Sequence, residues 1–189
     1  MEEQGSIESL SVRGVVSVSD SADTTTGGIV GVNHGTLINC QFTGVVTGDS
    51  EVGGIVGRNE SEGTIDHGTA RAIVTGKSST GGIAGYNLGA ITGCTNVGSI
   101  NTEYPEASLD TDGFTAKMVD YINNKMAAAD NDATNSVTNV ATDTGGIAGR
   151  SSGMILTSVN TGTIGYEHVG YNVGGIVGRT DGLVSGCVN

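Results

Sequence analysis

The sequence contains no tryptophan, one proline and two phenylalanines among its 189 residues. The near absence of proline excludes a collagen triple helix, which needs abundant proline and glycine at every third position. Five tyrosines complete the aromatic set, so few rings are available as stacking platforms for sugars. No apolar run approaches the roughly 20 residues that a membrane-spanning helix requires. These absences leave no sign of direct membrane insertion.

Basic residues are also scarce, with 8 against 20 acidic ones, which gives a net charge of −12. This balance argues against nucleic acid or an anionic membrane surface as the main partner, because both are polyanions. The first ten residues, MEEQGSIESL, are acidic, whereas a secretory signal begins with basic and then apolar residues. With 36% hydrophobic and 15% charged residues, the chain is expected to fold.

Glycine is abundant, with 33 residues, and marks a phrase that occurs five times. The copies read TGGIVGVNHG, VGGIVGRNES, TGGIAGYNLG, TGGIAGRSSG and VGGIVGRTDG. Their first glycines are Gly27, Gly53, Gly81, Gly145 and Gly174, separated by steps of 26, 28, 64 and 29 residues. The long step therefore equals one ordinary step plus an insertion. Arg13 to Val16 matches the end of a unit, which suggests that the chain begins and ends inside a repeat.

The repeated units predict a single-stranded parallel β-helix. Each unit holds three short Ile- and Val-containing runs separated by turn-forming residues, which favours three strands and three corners per coil. Units of this length cannot bury a face alone, so they must stack. We expect an all-β solenoid of about five coils, right-handed by the general preference of parallel connections. Its segments are a partial repeat 1–26, repeats 27–52, 53–80, 81–102, 145–173 and 174–189, and the insertion 103–143.

Several positions of the unit have predicted roles. The invariant isoleucines are expected to form an inward column, in which each packs on its equivalents; they are Ile29, Ile55, Ile83, Ile147 and Ile176. An aliphatic residue follows in each copy, with Leu183 filling this position in the last one after a one-residue slip. Asn33, Asn59 and Asn87 suit a turn, because Asn tolerates left-handed backbone conformations and can bond to neighbouring amides.

The phrase G-G-I-V/A-G-x-N, followed by glycine, an aliphatic residue, cysteine and a closing G-x-I/V, resembles the GLUG motif. The match covers residues 27–101 and 145–189, with a weaker partial match over 7–16. This family occurs in bacterial surface and secreted proteins, including immunoglobulin A peptidases and haemagglutinin-like adhesins. The resemblance implies an extracellular or cell-surface, elongated interaction module. It brings no catalytic residues, and no zinc-peptidase signature H-E-x-x-H is present.

The three cysteines, Cys40, Cys94 and Cys187, share one repeat position in the first, third and fifth copies. Any two are at least two coils apart, about 9.6 Å, which exceeds the roughly 7 Å Cα limit for a disulfide. We expect them to be small buried hydrophobic residues. His34, His67 and His168 occupy different repeat positions, which favours solvated corner residues over a zinc site or a catalytic triad.

Arginine follows the third glycine of the phrase at Arg58, Arg150 and Arg179, where other copies carry Val32 and Tyr86. If the last two coils stack directly, Arg150 and Arg179 are neighbours about 4.8 Å apart. Such a pair could bind a carboxylate or sulfate. The alternative is two solvated guanidinium groups with nearby acids.

The insertion 103–143 is acidic, with eight acids against two lysines. Helical spacing of Phe114, Met118, Tyr121, Ile122 and Met126 predicts an amphipathic helix on the flank of the solenoid, or else a surface for a partner protein. Asp110, Asp112, Asp130 and Asp132 resemble part of a calcium loop, but position twelve from the first is Tyr121 instead of glutamate. Calcium is thus a weak candidate, and no other cofactor is expected.

Three functions remain open from the sequence. The favoured one is a non-catalytic extracellular module, an adhesin segment or rigid spacer with a protein or glycan partner at a cell surface. The second is a glycan-binding or glycan-cleaving β-helix, which would need clustered acids and tyrosines on one face. The third is a structural portion of a secreted metallopeptidase. No catalytic residues are assigned, because the acids within the repeats do not recur at one position.

Overall fold

The computed structural model describes residues 5–18, 24–102, 142–165 and 172–189. Their regular structure is β-strand throughout. In chain order the strands are β1 (Ser6–Glu8), β2 (Ser11–Ser17), β3 (Thr25–Gly27), β4 (Val30–Asn33), β5 (Thr36–Ile38), β6 (Gln41–Thr47), β7 (Glu51–Gly53), β8 (Val56–Asn59), β9 (Thr64–Asp66), β10 (Thr69–Thr75), β11 (Ser78–Gly81), β12 (Ala84–Asn87), β13 (Ala90–Thr92), β14 (Thr95–Asn96), β15 (Ser99–Ile100), β16 (Thr142–Gly145), β17 (Ala148–Ser151), β18 (Met154–Leu156), β19 (Val159–Asn160), β20 (Val173–Gly174), β21 (Val177–Thr180) and β22 (Leu183–Ser185).

The strands form a parallel β-solenoid of about five coils, as the repeat predicted. Sheet 1 has the order β1-β5-β9-β13-β18-β22, and sheet 2 has the order β2-β6-β10-β14-β19, with β15 also paired to β10. Sheet 3 runs β3-β7-β11-β16-β20, and sheet 4 runs β4-β8-β12-β17-β21. Each strand pairs with its equivalent one coil away, so the same repeat position forms a column through the stack. The right-handed sense stays a prediction.

The prediction of three strands per coil is wrong, because each full coil contributes to four sheets. The glycine phrase holds an additional corner: β3 ends at Gly27 and β4 starts at Val30. A Cβ on Gly28 would lie 2.3 Å from the carbonyl oxygen of Gly54 and 2.5 Å from the Phe42 ring. Only glycine fits this crowded corner, which divides what looks like one apolar run in the sequence.

The invariant isoleucines lie over one another in a single core, as predicted. Backbone hydrogen bonds join Ile29 N to Ile55 O at 2.9 Å and Ile55 N to Ile83 O at 3.1 Å, and the series continues through Ile147 and Ile176. The three central isoleucines are fully buried, and the two outer ones are partly buried against the same cluster. Burial of each central side chain contributes about 1.5–3 kcal/mol.

A second inward column runs along sheet 1, and it corrects the expected slip in the last copy. Ile65, Ile91 and Ile155 stack in register and are buried. The residue paired with Ile155 is Val184, whereas Leu183 pairs with Met154 and is 54% exposed. The inward position is thus two residues after the glycine in this copy too, because strand alternation turns Leu183 to the outside.

The insertion leaves the stack continuous. Gly145 in β16 pairs directly with Gly81 in β11, so the 64-residue step is one coil plus an insertion, as predicted. The expected helix and the calcium candidates Asp110, Asp112, Asp130 and Asp132 lie outside the described residues. Among the residues that are described, no helix is long and apolar enough to span a membrane.

The asparagine series forms a buried ladder. Its backbone is not left-handed, but the expected bonding to a neighbouring amide occurs, since Asn33 Oδ1 accepts from Gly35 N at 3.1 Å. Asn33 Nδ2 donates to Asn59 Oδ1, and Asn59 Nδ2 donates to Asn87 Oδ1, each at 2.8 Å. All three residues lie at strand ends and are buried. In-register stacking places each amide donor beside the acceptor of the next coil, which satisfies both groups away from water. A second ladder joins Asn96, Asn160 and Asn189 at 2.7 Å per step.

Left-handed backbone occurs instead at the corner between sheets 1 and 2. One residue per coil has a positive φ of 47–65° there, and these residues are Ser9, Asn39, His67, Gly93, Thr157 and Gly186. Side chains other than glycine are strained in this region. The repeated hydrogen bonding of the corner, such as Asn39 N to Asp66 O at 3.0 Å, holds them in place.

Candidate functional site

The outer face of sheet 4 carries one column with most of the arginine of the repeats. Tyr86 pairs with Arg58 on one side and with Arg150 on the other, and Arg150 pairs with Arg179. Val32 precedes Arg58 in the same column. We call Arg58, Tyr86, Arg150 and Arg179 the arginine–tyrosine column. The expectation that Arg150 and Arg179 are neighbours is confirmed.

Tyr86 is held between two guanidinium groups. The Cζ atoms of Arg58 and Arg150 each lie 5.2 Å from the centre of the Tyr86 ring. A cation over an aromatic face at this distance contributes about 0.5–1 kcal/mol at a partly exposed site. The Tyr86 hydroxyl lies 3.3 Å from Ser152 Oγ, within hydrogen-bond distance. Both faces of the ring are therefore occupied, and the side chain is fixed at its tip.

Arg58 is neutralised by its own acids. Its Nη1 lies 2.9 Å from Glu51 Oε1, and its Nε lies 2.8 Å from Glu60 Oε1. Desolvation lowers the pKa of Arg58, but the negative charges of Glu51 and Glu60 outweigh it, so the pKa is raised overall. This end of the column holds one cation and two anions, and it has no unpaired positive charge to offer a ligand.

The other end of the column is different. Within the described part of the chain, no carboxylate oxygen lies within 4.0 Å of a nitrogen of Arg150 or Arg179. Asp181 is an acid whose pKa responds to the charges of these two arginines. A hydrogen bond from Ser152 lowers the pKa of Asp181 most, and the positive charges of Arg150 and Arg179 lower it further. Asp181 is therefore ionised at neutral pH, and two cations face one anion.

The cysteines are three free thiols, with no disulfide between them. Cys40 and Cys94 are buried, as predicted, and Cys187 in the last coil is partly exposed. Burial raises the pKa of the Cys94 thiol to about 12. Its sulfur accepts a hydrogen bond from Gly68 N at 3.2 Å. A thiol in this state is protonated and unreactive at neutral pH.

The histidines within the described residues are exposed, as predicted. His34 lies at the corner between sheets 4 and 1. His67 Nδ1 lies 2.8 Å from Asp66 Oδ1, and both side chains are partly exposed. In the part of the chain that the structure covers, no three His, Cys, Asp or Glu side chains gather as a metal site would need. His168 lies outside it.

Sequence reasoning found the members of the arginine–tyrosine column but not the way they interact. The repeat alignment puts Arg58, Tyr86 and Arg150 at one position, so it contains the signal that they are stacked neighbours. It does not show which side of a coil they face or which acids surround them. The role of Glu51 and Glu60 was missed for that reason, since they come from a different sheet and a corner.

Comparison of the chain with family models, with curated proteins and with solved structures finds no match.

Proposed function

We propose that this chain is a rigid, non-catalytic repeat module of a bacterial cell-surface or secreted protein, which presents an interaction surface. The observation that carries the proposal is the unbroken stacking of equivalent residues through all coils. The isoleucine column runs through all five coils, and each of the two asparagine ladders joins three successive coils in register. The resemblance of the repeat to GLUG motifs supports a surface or secreted setting.

Stacking of this kind produces a stiff body. Every coil is hydrogen bonded to its neighbours through four parallel sheets, and the buried amides add side-chain hydrogen bonds in the same direction. Five coils at about 4.8 Å each give a height of roughly 25 Å. A rigid spacer needs this property, because its ends must stay at a fixed separation under load. An interaction module needs it to keep side chains of successive coils in fixed geometry.

The distribution of acids in the described residues favours binding over catalysis. Glu51 and Glu60 pair with Arg58, and Asp49 lies 2.7 Å from Lys77. Hydrolysis of a glycosidic bond needs two carboxyl groups free to exchange protons and facing one bond. Tyr86 is equally unsuited as a sugar platform, because both faces of its ring are covered. The arginine pair at the other end of the column, Arg150 and Arg179, can bind an anion without catalysing a reaction.

One experiment separates the candidate functions. Purified full-length chain is immobilised and exposed to dextran sulfate, polygalacturonate and neutral dextran, while binding is followed by surface plasmon resonance and released reducing ends are assayed in solution. Saturable binding without new reducing ends is expected of an interaction module. New reducing ends would establish the glycan-cleaving alternative and refute the proposal. Absence of binding to these polymers would reduce the proposed role to a spacer.

The cellular setting has a separate test. An export signal in the coding sequence that flanks these 189 residues would support the surface or secreted setting. A neighbouring H-E-x-x-H motif would support the metallopeptidase alternative. A cytosolic enzyme domain fused to the repeats would contradict the surface setting.

A further inference from the structure

We propose that Arg150 and Arg179 form a binding site for a single oxyanion group, such as a carboxylate, sulfate or phosphate. This inference rests on the proposed function, because it names the ligand chemistry of the interaction surface. It concerns the end of the arginine–tyrosine column that lies away from Glu51 and Glu60.

The spacing of the two side chains is set by strand pairing. Arg150 and Arg179 are directly paired on the adjacent strands β17 and β21, so their backbones are about 4.8 Å apart. Both project from the outer face of sheet 4. Guanidinium groups on neighbouring strands can donate to different oxygens of one oxyanion, and Arg is the side chain whose forked donors match such groups.

The side chain of Arg150 is held in a fixed position. Its guanidinium lies on the Tyr86 ring, which is held from the opposite face by Arg58 and at its hydroxyl by Ser152. Arg58 is itself fixed by Glu51 and Glu60. A long side chain usually loses conformational entropy when it binds a ligand. Because the stack has already ordered Arg150, less of this cost remains at binding.

The charge around the two arginines differs from the charge of the whole chain. The whole chain carries −12, but within the described residues no carboxylate oxygen lies within 4.0 Å of a nitrogen of Arg150 or Arg179, and the carboxyl group whose pKa their charges lower is that of Asp181. The site therefore has one positive charge in excess. The net charge of the whole chain opposes general adsorption of polyanions, so the site favours a ligand that presents one group in the right geometry.

The experiment uses the full chain, labelled so that arginine Nε–Hε resonances can be followed by NMR. Sodium sulfate, sodium acetate and sodium chloride are titrated separately. Sulfate and acetate are expected to shift the Arg150 and Arg179 resonances saturably, while chloride at equal ionic strength does not. Dextran sulfate and neutral dextran then show whether the oxyanion is accepted on a polymer as well as free in solution.

Variants define the site. Arg179→Gln removes one charged donor and should weaken binding about tenfold, the value of one charge-assisted hydrogen bond. Arg71→Gln is the matched control, because Arg71 is an exposed arginine on sheet 2 and the change in net charge is the same; its affinity should stay within about twofold. Asp181→Asn should raise affinity, because it removes the competing carboxylate. Spectra of each variant in the absence of anions confirm the fold.

Equal losses in Arg179→Gln and Arg71→Gln would overturn the proposal, since they would show a response to net charge alone. Absence of saturable shifts with sulfate and acetate, together with absence of dextran sulfate binding, would overturn it as well. Binding of the free anions without binding of dextran sulfate would support the oxyanion site and refute recognition of this polymer. That outcome distinguishes failure of the proposed interaction role from failure of the site.

Discussion

The buried asparagine ladder permits a quantitative test at Asn59. Its Nδ2 donates to Asn87 Oδ1 at 2.8 Å and to Gly63 O at 3.1 Å, and its Oδ1 accepts from Asn33 Nδ2 at 2.8 Å. The Asn59→Ala substitution removes these three hydrogen bonds, and a longer one from Nδ2 to Ala90 O at 3.4 Å, in a site that water does not reach. We expect this substitution to lower the free energy of unfolding.

The expected magnitude follows from the bonds that are lost. Each contributes about 0.5–1.5 kcal/mol net, and a buried partner left unsatisfied costs about 1–3 kcal/mol. Asn33 Nδ2 keeps a bond to Gly35 O at 3.1 Å, so the orphaned groups are fewer than the broken bonds. The sum is roughly 2–5 kcal/mol of destabilisation.

Urea unfolding followed by circular dichroism measures the effect as a lower midpoint at an unchanged slope. Thr180→Ala is the matched control, because Thr180 occupies the same column position in the last coil and is exposed. It should lose less than about 1 kcal/mol. If Asn59→Ala loses no more than this control, the ladder does not stabilise the stack and the reasoning is refuted.

Four further outcomes are expected. Ile83→Ala should lower the free energy of unfolding by about 2–5 kcal/mol in the same urea assay, whereas Met154→Ala, at an exposed position, should change it by less than about 1 kcal/mol; equal losses would contradict the isoleucine core. Tyr86→Leu should cost about 1–2 kcal/mol because two cation–aromatic contacts are lost, and Tyr86→Phe should retain most of this, so a larger loss in the Phe variant would contradict the sandwich. Burial raises the pKa of Cys94 from an ordinary 9.0 to about 12. The contribution of this thiol to stability is therefore present below pH 9 and is lost as the pH rises toward 12. The free energy of unfolding measured against pH should show this decline in the native chain and a smaller decline in Cys94→Ala. Native alkylation at pH 8, read by mass spectrometry, should modify Cys187 before Cys94, and the reverse order would contradict the burial.

The solenoid itself could be predicted because its determinants are local and repeated. A glycine phrase at near-constant steps fixes the unit, and the invariant Ile29, Ile55 and Ile83 fix the inward column. The insertion could be subtracted for the same reason, since the copy that starts its glycine pair at Gly145 is the next in the series after the copy at Gly81. Because equivalent residues of successive coils pack on one another, few other folds fit the sequence once the repeat is known.

The corners were harder to predict, because they depend on atoms from other coils. Gly28 lies in the corner between β3 and β4, where the Gly54 carbonyl and the Phe42 ring leave no room for a side chain. Asn33 and Asn59 have the composition of a turn, yet their amides pair along the stack. An isolated unit contains neither neighbour, so its sequence favours the local interpretation.

The sequence predicted which residues form the candidate site, but it did not predict the difference in charge between the two ends of the column. Arg150 and Arg179 follow from alignment of the repeats. The difference between the two ends of the column depends on Glu51, which belongs to sheet 3, and on Glu60, which the second copy carries at its corner. Pairing across a corner leaves no periodic signal.

The cysteine column limits how alike the repeats can become. Its members alternate in size along the stack, as Cys40, Gly68, Cys94, Ser158 and Cys187. A Cβ on Gly68 would already lie 2.9 Å from Ile55 Cδ1 and 3.4 Å from Cys94 Sγ. A cysteine at the Gly68 position would therefore require the Ile55 side chain to shift, so the residue that fits in one coil depends on the side chains of the coils beside it.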